Sequence, residues 1–167
     1  MTRSLALLFA GFWLGLLVSS WVTASVTFRT AAELFGPDGR KELADVLAAT
    51  PDAQRRQAMR FMASEVNRGM FARRYVAEMA LGVCLLALAL RGGGPWAFAA
   101  GAVAILVVQA GLHGPILEIG RAADFLPRPL PPEMAARFGR LHGAYVLLDF
   151  AKAGLVAAAA WGLARLR

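Results

Sequence analysis

Between Leu5 and Phe28 the chain runs LALLFAGFWLGLLVSSWVTASVTF without one charged residue. That exceeds the ~20 residues a membrane-crossing helix needs, and in an apolar surrounding only a helix satisfies every backbone polar group within one segment. The pattern returns from Pro95 to Leu117, where His113 is the sole titratable group, and from Leu141 to Ala164. A shorter apolar run, Tyr75 to Leu90, contains Glu78 and lies between Arg74 and Arg91. The expected layout is four spans, at 5–28, 75–90, 95–117 and 141–164, joined by cytoplasmic loops 29–74 and 118–140. No strand-type alternation and no internal repeat competes with it. The fold class is all-α: one domain, 1–167, an integral membrane four-helix bundle.

Composition agrees. Hydrophobic residues make up 58% of the chain and charged residues only 17%, against about a quarter in a soluble domain. The net charge of +7 raises the question of nucleic acid, but the basic residues lack interleaved aromatics, so no nucleic-acid partner is expected. The single cysteine, Cys84, excludes an intrachain disulfide and any cysteine-based metal site. The first apolar run is too long for a signal-peptide core, and Trp21 and Phe28 fit a cleavage site poorly, so it reads as a true span. Sixteen of the 18 basic residues are Arg, the exceptions being Lys41 and Lys152. This reads as the bias of a GC-rich bacterial genome and places the protein in a bacterial inner membrane.

The basic residues also orient the chain. Arg29, Arg40, Lys41, Arg55, Arg56, Arg60, Arg68, Arg73 and Arg74 fall in the first loop, and Arg121, Arg128, Arg137 and Arg140 in the second. The opposite side has only Arg3, Arg91, Arg165 and Arg167. By the positive-inside rule both loops are cytoplasmic and both termini outside. Thr50 as N-cap and Pro51 at the first helical position open a helix with no further proline until Pro95, so a long helical extension should be continuous with the second span. Met59, Met62, Val66 and Met70 give it one apolar stripe. It could pack on residues 39–50, lie on anionic lipid headgroups through its arginines, or dock a membrane-protein partner or second copy. In the second loop Pro127, Pro129, Pro131 and Pro132 predict a stiff connector, with a helix restarting near Glu133.

Polar residues inside the spans are the candidate site. His142, Tyr145, Asp149 and Lys152 follow spacings of three, four and three, which puts them on one face of the last helix. At 1.5 Å per residue from Arg140, Asp149 lies about 13 Å in and Lys152 about 18 Å. Buried charges are costly there, so Asp149 and Lys152 should pair and face inward. Ser19, Thr23 and Gln109 reach a comparable depth and complete an expected intramembrane polar core. Glu78, nearer the cytoplasmic edge, is expected to pair with Arg29 and Arg74. Gly11 with Gly15, and Gly139 with Gly143, form GxxxG motifs that favour close helix packing.

No HExxH, GxSxG, P-loop or GxGxxG motif is present, so a non-enzymatic accessory subunit or small transport-related protein, with no cofactor, is the leading expectation. Two alternatives stand beside it. His113 and His142 could ligate haem b or copper. Asp149 and Lys152 could relay protons in a proton-coupled transporter. The stretches GFWLGLLVSSWVTASVTFR, HGPILEI and RFGRLHGAYVLLDFAKAGL resemble the transmembrane protein 205-like family, chiefly through Phe138 followed by Leu141-His142-Gly143. The resemblance spans most of the chain and departs from it in the long arginine-rich first loop. It implies a multi-pass membrane protein and no particular reaction.

Overall fold

The computed structural model describes residues 2–34, 45 and 48–166, and among them the regular structure is entirely helical. Four helices account for it: α1 (Thr2–Glu33), α2 (Asp52–Arg91), α3 (Trp96–Ala123) and α4 (Pro132–Arg165). α1, α3 and α4 are long and apolar enough to cross a membrane. α2 is not among them, because its apolar run between Arg74 and Arg91 is shorter than the ~20 residues a crossing needs and holds Glu78. Pro51 caps α2 from outside instead of occupying its first turn, one residue later than the sequence suggests. The expected contact of α2 with residues 39–50 lies largely outside the described residues.

The bundle is cyclic: α1 packs on α2 and α4, and α3 packs on α2 and α4. One end is built from chain turns and termini. Arg3 donates to the carbonyls of Ala164 and Leu166, satisfying two of the orphan acceptors at the end of α4 with a cation. Gly92 and Gly94 donate to the Leu88 and Ala89 carbonyls, and between them Gly93 takes φ +62°, a left-handed conformation that costs glycine no Cβ clash. At the other, arginine-rich end, Phe61 of α2 leans on Phe125 with the rings tilted, 5.1 Å between centroids. Arg68 there donates to Asp124 at 2.7 Å and also to Glu65. The Asp124 bond holds the Arg68 guanidinium above its ordinary pKa, with Glu65 adding to the effect and partial burial opposing it.

The side-chain distribution is inverted relative to a water-soluble bundle. The buried hydrophobic set is dominated by alanines, Ala6, Ala10, Ala99, Ala102 and Ala159 among them, around Trp13, Leu17, Leu85, Leu106 and Val156. Large apolar side chains point out, with Val76 68% and Leu147 70% exposed. Small residues inside let helix backbones approach closely. The GxxxG glycines do not contribute to this: a Cβ at Gly11, Gly15, Gly139 or Gly143 would meet nothing within 4 Å. The close approach falls at Gly82, where a Cβ would lie 2.8 Å from the Trp13 ring and 3.0 Å from Val103, and at Gly162 against Pro95. Gly82→Val should therefore cost about 1–3 kcal/mol by overpacking. Gly11→Ala should shift stability by no more than ~0.5 kcal/mol. Unfolding both variants in micelles checks the contrast.

The apolar stripe expected on α2 is not its buried face. Met62 and Val66 are exposed, whereas Ala63, Asn67, Arg74, Glu78, Gly82, Leu85 and Ala89 face the bundle. That second set lies on one face from Ala63 to Ala89, and the packing around Glu78 decides which line turns inward.

Candidate functional site: a buried ring of four charges

Arg74 and Glu78 lie one turn apart on α2, and Asp149 and Lys152 three residues apart on α4; each pair therefore projects from a single helix face. The two faces meet across the diagonal of the bundle. Arg74 Nε donates to Glu78 Oε1 at 2.8 Å, and Arg74 Nη2 to the two Asp149 oxygens at 2.6 and 2.7 Å. Lys152 Nζ donates to Glu78 Oε2 at 2.6 Å and lies 2.9 Å from Asp149 Oδ1. The four ion pairs close a ring in which cation and anion alternate, with no net charge.

The other two helices complete it. Gln109 of α3 donates its amide N–H to Asp149 Oδ1 at 2.8 Å and to the Tyr145 carbonyl at 3.2 Å, while its Oε1 accepts from Lys152 Nζ at 2.7 Å. Trp21 of α1 donates its indole N–H to Asp149 Oδ2 at 3.2 Å, and its ring leans on Phe150. Relative exposures are 3% for Arg74, 1% for Glu78 and Gln109, 3% for Asp149 and 0% for Lys152. Lys152 donates to Glu78 and Gln109 and holds Asp149 as an ion pair. Asp149 accepts from Arg74, Gln109 and Trp21, with Lys152 as an ion-pair partner, and is the most heavily bonded member.

The ring joins groups that the sequence reading kept apart and drops some it included. Asp149, Lys152 and Gln109 meet as expected. Glu78 and Arg74 pair as expected, yet belong to the same layer as Asp149 and not to a separate edge pair. Arg29 is not with them: it pairs with Glu33 at 2.7 Å on the exposed side of α1. Ser19 and Thr23 are exposed on α1, and Ser19 Oγ donates to the Leu16 carbonyl of its own helix. The buried positions Ala6, Ala10, Trp13, Leu17 and Ser20 recur every three or four residues; that line has Trp21 at its edge and leaves Ser19 and Thr23 together on a different, exposed face.

Tyr145 contributes its carbonyl, and its half-buried ring meets Phe71 edge-on, 6.5 Å between centroids. His142 is exposed and stacks on Phe138 at 5.5 Å. No residue of α4 before Asp149 is fully buried. His113 is half-buried on α3. Neither histidine belongs to a cluster of three or more His, Cys, Asp or Glu side chains able to hold a metal ion among the described residues. No family model, curated protein or solved structure matches the chain.

Proposed function

We propose that this chain is a non-enzymatic, multi-pass protein of a bacterial inner membrane, an accessory subunit or small transport-related protein, in which the charge ring fixes how four helices assemble. The observation that carries the reading is the ring itself, neutral, buried and fed by all four helices, inside a bundle that is alanine-lined within and apolar without. Removing charges from water costs several kcal/mol per ion, which only near-complete pairing repays. In apolar surroundings the choice of helix register gains little from hydrophobic burial, since lipid is as apolar as leucine. A ring that pairs fully in one register and leaves bare charges in every other supplies that choice. Asp149 accepts from Trp21, Arg74 and Gln109 and so ties its own helix to the other three, which favours the structural role over a relay.

The resemblance to the transmembrane protein 205-like family belongs to the same proposal. So do the second span at 75–90, with Glu78 made tolerable by its partners, and the placement of the arginine-rich end at the cytoplasmic face against anionic headgroups. In a Cys84→Ser background, a membrane-impermeant maleimide applied to intact spheroplasts should label Thr2→Cys and spare Ala58→Cys until the membrane is permeabilised. Labelling in the reverse order would overturn the orientation. The assembly role is tested by the charge-pair substitutions taken up in the Discussion.

A further inference from the structure

The two sides of the ring differ. Away from the arginine-rich end, the residues next along each helix are Leu17 and Trp13 of α1, Leu85 of α2, Leu106 of α3 and Val156 of α4, all buried and none charged. Toward the arginine-rich end the buried face of α2 continues through Asn67, 5% exposed. Asn67 Nδ2 donates to the Ala63 carbonyl at 3.0 Å, but its Oδ1 has no partner among the described residues, and neither has Arg74 Nη1. These two atoms have opposite hydrogen-bonding sense: Nη1 carries two N–H donors and Oδ1 is an acceptor. Both stand on one helix face, seven residues or about 10.5 Å apart along the axis, a separation for a short chain of waters and not for a single one. Phe71 lies between them, with the Arg74 guanidinium 5.5 Å from its ring centroid and Tyr145 on its edge.

We propose that ordered water enters the bundle from the arginine-rich end and binds between Asn67 Oδ1 and Arg74 Nη1, so that the charge ring is hydrated from one side and dry on the other. The class of guest follows from charge. Because the ring is neutral, an anion at Nη1 would leave an uncompensated negative charge beside Asp149 and Glu78, whereas water accepts from Nη1, donates to Oδ1 and adds none. A buried water needs two to four polar partners, and this side offers the guanidinium and the amide oxygen. On the apolar side, among the described residues, the Trp13 indole N–H also lacks a partner, while Ser20, at the level of the ring, already gives its hydroxyl proton to the Leu16 carbonyl. One isolated donor does not hold a water. The ring is then the floor of a half-path closed by Trp13, Leu17, Leu85 and Leu106. The inference concerns the ring's surroundings and stands apart from the assembly role, which the stability cycles test separately.

Water-edited solid-state NMR on the protein in liposomes measures it directly. Arg74 at 3% and Trp13 at 0% exposure are both shielded from direct contact with bulk water, so the comparison reads water inside the bundle. Transfer of polarisation from water to the Arg74 guanidinium and the Asn67 amide should be several-fold faster than to the Trp13 indole and the Leu85 and Leu106 amides. Equally slow transfer to Arg74 and Trp13 would overturn the proposal, as would equally fast transfer, which means water on both sides. Asn67→Leu should slow transfer to Arg74 toward the Trp13 rate, and an unchanged rate would remove Asn67 from the site. The wild-type comparison decides the main point even if that variant folds poorly.

Discussion

Asp149→Leu should be the most damaging single substitution in the protein, lowering stability by roughly 3–5 kcal/mol, the range for breaking one side of a buried ion pair. The change removes one negative charge and leaves Arg74 and Lys152 sharing Glu78. It also strands Arg74 Nη2, one N–H of the Gln109 amide and the Trp21 indole, which all donate to Asp149. Adding Lys152→Leu restores neutrality, with Arg74 and Glu78 still paired at 2.8 Å, but gives those stranded donors no new acceptor. The double variant should therefore recover only part of the loss. Unfolding in mild detergent measures the cycle, and a double variant no more stable than Asp149→Leu would show that charge balance is not what the ring supplies.

The second large effect is at Lys152, and its rescue should be more complete. Lys152→Leu leaves a net negative ring and costs about 3–5 kcal/mol by the same argument. Combined with Glu78→Leu, it leaves Asp149 holding both Arg74 Nη2 contacts, Gln109 and Trp21, the best-satisfied half of the ring. This double variant should be the most stable of the charge-pair removals, and an apolar replacement for a buried pair is often close to neutral. The converse double, Asp149→Leu with Glu78→Leu, leaves two buried cations without a counter-charge and should not fold. If the oppositely and like-charged doubles were equally stable, the four groups would not form one electrostatic unit.

Much of the architecture is legible in the residues. Long uncharged runs leave helix as the only self-satisfying backbone, the prolines 127–132 and the glycines 92–94 break the chain where helices end, and i, i+3 spacing joins Asp149 to Lys152 on one face. Gln109 could be placed at their level because the rise per residue is constant. These are local or one-helix properties, and a single sequence carries them.

The tertiary structure alone decided which faces meet. The sequence determined that Asp149 and Lys152 share a face and that Arg74 and Glu78 share another, since helical period settles each. It could not determine that the two faces lie at one height across the diagonal, because the apolar run of α2 is short and its end is a misleading ruler. Glu78 reads as a boundary charge until Lys152 neutralises it. Nor could it exclude Ser19, Thr23 and Arg29 or include Trp21: those assignments turn on the rotation of α1 about its own axis, set by Ala6, Ala10, Trp13 and Leu17 packing into the bundle. Rotation and relative height are properties of pairs of helices, fixed by complementary packing and charge pairing, and no single helix encodes them.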